Sequence, residues 1–469
     1  MMMTRRSTLA FTAAALAVLS ACKFPVPPDV GDDAVIAVDA SSDAPVDASI
    51  GPTFARAYGS PGTDFGTFVA ATDQAVVFGG VGGAGFEVGG IAASPYFIAR
   101  TSAGGQPLSA LAWPSPFRDA AFDRFGNLYV VGELDGAASA GGAVLTSVGQ
   151  DVFVAKFDAT GRHLWSRAFG GAGAQVGERI AIASDDDIVI CGEFAGATRF
   201  GGSPLVEHGG WDVFVARLSR SDGSLTWSMG FGGSNEDTCS AAVAAADGTI
   251  VVLGAFFGNM TVNGASLPVA GSFDIFAVGL GASGSVRWSH AFGSAGADRV
   301  ANGALADQGD VLVAGSFAGD LTLGTTLLHP QARDDGFVAR MSTDGIVAWA
   351  TPVSGSDLEY VTSVSSDGDR VVVSGVVAGP TRVGEVMVSP PVGNGTDIFV
   401  ATLRYANGSV LAARTYGGSG PDGVIAETTV SEGTLILTGG FSSPSFDFGP
   451  GLTVAGTGSD TYIARVPLP

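Results

Sequence analysis

Six aspartates stand at the start of a recurring strand: Asp151, Asp212, Asp274, Asp335, Asp397 and Asp460. A second acidic set lies in loops of G-S-x-x-x-D type: Asp64, Glu236, Asp237, Asp298, Asp357 and Asp422. Carboxylates at repeated places could gather a hard cation, and calcium is the ion that takes several carboxylate and carbonyl oxygens. Asp64, Asp298, Asp357 and Asp422 are the candidate metal ligands. The D-x-D-x-D-G calcium loop is absent, however. An Asp at a turn or strand start commonly accepts backbone N–H bonds. The structural role is therefore the expected one, with no cofactor and calcium kept as the alternative.

Other reactive residues are few. The histidines are His163, His208, His290 and His329, and none pairs with another His or a Cys at ligand spacing. No G-x-S-x-G, Walker or H-E-x-x-H pattern occurs, so no catalytic residue is assigned. The departures from the repeat look scattered and mostly apolar, which argues against an enzyme. Cys191 lies in one repeat unit and Cys239 in the next. Neither position is Cys in other copies, so a buried free Cys191 is expected, with a 191–239 disulfide as the alternative.

The elements that carry these residues repeat. The phrases "PYFIAR", "DVFVAK", "DVFVAR", "DIFAVG", "DGFVAR", "DIFVAT" and "DTYIAR" begin 56 to 63 residues apart. A glycine follows a β-branched run in each copy, at Gly79, Gly132, Gly192, Gly254, Gly315, Gly375 and Gly439. Within 165–218 the unit reads as "WSRAF", "ERIAIAS", "IVICGEF" and "DVFVARL", four strands with a long connection before the last. The third strands are continuous apolar runs, as expected of strands covered on both faces. Repetition at this period implies an all-β, seven-bladed β-propeller of four-stranded antiparallel blades. "ARAYG" has no predecessor and the last "TYIAR" no successor, so their pairing would close the ring and remove an open edge.

The longest connections differ most between copies. His208, Trp211, His329 and Arg333 occur only there, which makes these connections the candidate binding rim.

This pattern resembles the SBBP family of bacterial β-propeller repeats over roughly 54–465. The resemblance implies the fold and says almost nothing about function. Trp165, Trp227, Trp288 and Trp349 follow a hairpin glycine by four residues. "FDATGRHLW" partly resembles the tryptophan-docking motif of quinoprotein dehydrogenases. Nothing resembling that family's cofactor pocket accompanies it, and each indole is expected to pack between adjacent blades.

Composition and the N-terminus set the compartment. Acidic residues outnumber basic ones 45 to 23, giving a net charge of −22, which excludes nucleic acid as a partner. Arg5 and Arg6 precede an apolar stretch too short to span a bilayer, which reads as a signal peptide over 1–21. It ends in "LSAC", which resembles a bacterial lipobox; the resemblance implies that Cys22 is diacylated and becomes the mature N-terminus. Residues 22–53 are rich in Pro, Asp, Ala and Ser and read as a disordered tether to one domain, 54–469. The expected protein is a monomeric, lipid-anchored propeller on the outer membrane or cell surface. It would bind an envelope protein or polysaccharide without catalysis. The rivals are a propeller enzyme using the central funnel and a purely structural envelope protein.

Overall fold

In the computed structural model, the residues described are 52–469, apart from 332, 358, 391–394 and 432 and the side chains of 424–427. The signal peptide, Cys22 and nearly all of the tether lie outside them. Among the described residues every regular element is a strand.

The strands form the antiparallel four-stranded blades of a β-propeller. One blade shows the pattern. Asp237–Ala244 pairs with Ile250–Phe257, which pairs with Phe273–Leu280, which pairs with Val286–Phe292. The sheet boundary thus falls after the tryptophan-bearing strand. In space that strand is the outer edge of the preceding blade, although the reading of 165–218 placed it first in its own unit. The second and third strands are buried almost throughout, because adjacent blades cover both of their faces.

The blades are not all separate sheets. Parallel pairs of one residue each link neighbouring blades, Gln150 with Ala174 and Trp211 with Glu236. Elsewhere the connection between second and third strands folds into a short hairpin. Met260–Val262 and Ala265–Leu267 form one, and Gly232 and Gly233 of the preceding outer strand pair with it. Thr381–Val383 and Val386–Val388 form another, pairing with Val353–Gly355. Apolar residues such as Met260, Leu267, Val383 and Val388 are buried under these hairpins. The connections expected to be a solvent rim are therefore in part folded extensions of the blades. The strand Phe54–Tyr58 pairs antiparallel with Asp460–Pro467, with Phe54 opposite Arg465 and Tyr58 opposite Thr461.

Successive blades are latched by a repeated device. The indole N–H of Trp227 donates to Ala282 O at 2.9 Å, in the hairpin of the next unit, and Arg217 Nη1 donates to the same oxygen at 3.1 Å. Trp349 and Arg340 share Tyr405 O in the same way, at 2.8 and 2.9 Å. Trp165 and Lys156 share Arg220 O, at 3.2 and 3.1 Å. The hairpin glycine is what lets the indole approach: a Cβ on Gly284 would lie 2.8 Å from the Trp227 ring.

Candidate functional site

Every inner strand carries an irregularity near its start, where one extra residue is inserted against the second strand. The extra residues include Arg118 in Phe117–Phe122, Glu178 in Ala174–Ile182, Ser240 in Asp237–Ala244 and Ala301 in Arg299–Leu305. A bulge bends the strand and re-aims the inserted residue. In most copies that residue is small. In two adjoining copies it is charged, and a network grows from it.

Arg118 donates to Glu133 Oε1 from Nε at 2.8 Å and again from Nη2, and approaches Glu178 at 3.8 Å. Gln150 Nε2 donates to the second oxygen of Glu133. Arg179 Nε donates to Ser240 O at 2.8 Å, and its Nη2 reaches Ala301 O at 3.5 Å. The network therefore ties four consecutive inner strands. Glu193 joins it from below, accepting the Cys239 N–H at 2.8 Å. Asp119 accepts the Ile180 N–H at 3.0 Å from the neighbouring inner strand.

Burial shapes the protonation of this cluster. Desolvation pushes Glu193 well above the usual carboxylate range, with Glu178 adding to the rise and Arg118 and Arg179 opposing it. Desolvation pushes Asp119 up to about 6, against Arg179 and two backbone N–H bonds. Glu133 is raised by burial and held back by Arg118. A site with two guanidiniums among carboxyls whose neutral form burial favours offers a polar group both hydrogen-bond donors and acceptors.

Sequence reasoning missed this cluster, and the expectation of scattered, apolar departures is corrected by it. A signal was present. Glu133 and Glu193 directly follow the repeated Gly132 and Gly192, a place that holds no acid in other copies. The inner-strand bulges that unite these residues with Arg118 and Glu178 have no mark in the sequence.

The predicted residues are placed as follows. Asp64, Asp298 and Asp422 are fully buried. Asp298 accepts from Ser294 N at 2.5 Å and Ala318 N at 3.3 Å, and Asp64 from Ser60 N and Gly83 N, both at 2.6 Å. They staple the loop between outer and inner strands to the end of the second strand. Asp357 does not belong with them. It is exposed, and Glu359, two residues on, occupies the buried place at the register that Asp237 and Asp298 hold in their own copies. Among the described residues no three His, Cys, Asp or Glu side chains gather as a metal would need.

His208, His329 and Arg333 are exposed. The His208 N–H caps Asp212 at 2.5 Å, and Trp211 O accepts the Asp237 N–H at 2.8 Å. His329 Nδ1 lies 2.9 Å from Asp320. The first two residues and the last two sit on connections separated by a whole unit, so they do not form one site. Cys191 is not a free thiol. It forms a disulfide with Cys239, with Cα atoms 6.2 Å apart. The second strand of one blade and the inner strand of the next face each other there, which two isolated departures from the repeat could not reveal.

No family model and no curated protein sequence matches the chain. Similar solved structures include a quinohemoprotein alcohol dehydrogenase of Pseudomonas putida HK5, at 10% identity and TM-score 0.41, over 85% of this chain and 66% of that one. This chain thus spans just under two thirds of that protein. The corresponding enzyme of Comamonas testosteroni is 11% identical at TM-score 0.40, over 86% and 67%. BamB from Moraxella catarrhalis is 13% identical at TM-score 0.35, over 85% and 81%. Identities this low bring no activity, cofactor or partner to this chain.

Proposed function

We propose that the chain is a lipid-anchored cell-envelope propeller of seven blades closed into a ring, of the SBBP type. It acts as a non-enzymatic binding or scaffolding module, and its partner is an envelope protein or polysaccharide. The lipobox-like "LSAC" and the acidic tether support the anchor at Cys22 and a place on the outer membrane or cell surface. Closure is supported by the order of inner-strand contacts. Phe65–Ala71 touches Phe117–Phe122, each next inner strand touches its successor, and Asp422–Ser431 touches Phe65–Ala71 again. Arg465, in the last third strand, reaches Ala103 O at 3.4 Å in the first hairpin, as the other latches do between neighbours.

The observation that carries a binding role is the asymmetry of the charged cluster. A purely structural repeat has no need of Arg118, Glu133, Glu178, Arg179 and Glu193 in adjoining copies only. Buried charge is costly to keep unless it serves some purpose beyond stability. The partner would therefore meet the inner-strand bulges, with the long connections as a secondary surface. The enzyme reading keeps one observation in its favour: burial favours the neutral form of the Glu193 carboxyl, as a general acid requires.

The test is photo-crosslinking in intact cells from a probe residue at Thr67, whose side chain is on another inner strand. A crosslinked partner should appear with the wild type and fade at least tenfold in Arg118→Ala/Arg179→Ala, whose melting curve certifies the fold. Equal crosslinking in both would rule out the cluster as the contact.

A further inference from the structure

Carboxyls meet in pairs where outer strands hand over to inner ones. Asp212 and Asp237 face one glycine, and Asp274 and Asp397 lie near enough to Asp298 and Asp422 to interact with them electrostatically. A glycine makes the room. A Cβ on Gly232 would lie 2.0 Å from Asp212 Oδ1 and 2.8 Å from Asp237 Oδ2, and one on Gly417 only 1.8 Å from Asp397 Oδ1. All six side chains are buried.

In two of the pairs the members are served unequally, whereas in Asp212–Asp237 each carboxyl has one buried oxygen without a hydrogen-bond partner. Asp422 accepts from Gly418 N, Ser442 N, Ser443 N and Ser443 Oγ at 2.7 to 3.1 Å, and so is solvated as an anion. On the strand side, one oxygen each of Asp212, Asp274 and Asp397 is buried without a hydrogen-bond partner. A second buried anion with a bare oxygen beside the first would carry a large desolvation cost and like-charge repulsion. One blade avoids it in sequence. At the loop position Gln175 replaces the acid, and its Oε1 accepts Gly171 N–H at 3.0 Å beside Asp151. An amide there leaves the pair with a single ionisable carboxyl.

We propose that each of the pairs Asp212–Asp237, Asp274–Asp298 and Asp397–Asp422 holds one proton between its carboxyls at neutral pH, so that acid tightens the propeller and alkali loosens it. Few other charged groups face these pairs. His208 and Glu207 lie near Asp212, and Tyr462 lies near Asp422. Desolvation, with the partner carboxylate adding to it, pushes Asp237 and Asp397 up to about 7, and desolvation raises Asp274 and Asp298 in the same direction. The folded state binds these protons more tightly than the unfolded chain. The stabilisation is therefore complete below the unfolded value of about 4 and is lost as pH rises through about 7.

Thermal unfolding of the full chain between pH 5 and pH 9, without divalent cations, tests this. The wild type should melt highest at pH 5 and progressively lower through pH 7. Asp397→Asn and Asp274→Asn put an amide on the strand side of the pair, across from the place where Gln175 has one, so each should flatten the slope and raise Tm at pH 8. Gln175→Glu should fold as the wild type does at pH 5 and show a steeper loss above pH 7. Asn variants that keep the full wild-type slope would assign it to the net charge of −22 and overturn the proposal. So would a wild-type Tm that is flat from pH 5 to pH 8, or one that millimolar calcium restores at pH 8 to its pH 5 value, because a cation would then occupy the pairs.

Discussion

At the scale of single residues, types were legible and neighbours were not. The buried aspartates could be picked out by repetition, and their role as acceptors of backbone N–H bonds follows from their place beside turns. Asp357 was misassigned although the repeat marks the right residue: Glu359 stands ten residues after Trp349, as Asp237 does after Trp227 and Asp298 after Trp288. Cys191 and Cys239 were equally opaque, since pairing depends on which blade faces which. Their disulfide closes a loop over a sequence separation of 48. Cross-links of that size typically contribute about 2–4 kcal/mol, chiefly through the unfolded chain. Cys191→Ala/Cys239→Ser should therefore unfold at lower urea concentration, and a reductant should bring the wild type to the same midpoint. An unchanged midpoint in both would mean that the bridge adds no stability.

Among elements, the strands were readable because the blade repeats one pattern of burial. The apolar runs at 188–194 and 250–256 are second strands, and the strand between a hairpin glycine and the next loop bears the tryptophan. The short hairpins in the long connections were not readable, being three residues a side with mixed polarity. The latches were half legible: the tryptophan's spacing from the glycine was visible, its acceptor was not. They differ in a way that can be measured. Ala282 O has both Trp227 and Arg217 as donors, whereas Gly279 stands in the arginine's place beside Trp288, whose N–H donates to Thr343 O at 2.9 Å. Trp→Phe removes one hydrogen bond, about 1 kcal/mol. Trp288→Phe should therefore cost more than Trp227→Phe in urea unfolding, because no guanidinium remains at that carbonyl. The reverse order would show that ring packing, and not the N–H, sets the strength of a latch.

For the molecule as a whole, the β-propeller was legible from periodicity, because each repeat is one structural unit and only stacking buries its faces. The charged cluster was not, since it depends on side chains brought together from separate blades by bulges. Compartment rests on the N-terminus alone, and it decides what the blades are for: a lipid-tethered propeller presents its surfaces within the envelope, whereas a released one does not. The most direct measurement is the intact mass of the chain recovered from fractionated cells, wild type beside Cys22→Ala. The account predicts that the wild type is found with the outer membrane as a chain that begins at Cys22 and carries acyl groups. It predicts that Cys22→Ala is absent from that form. A wild-type chain recovered from the soluble fraction, or one that begins elsewhere without acyl groups, would contradict it.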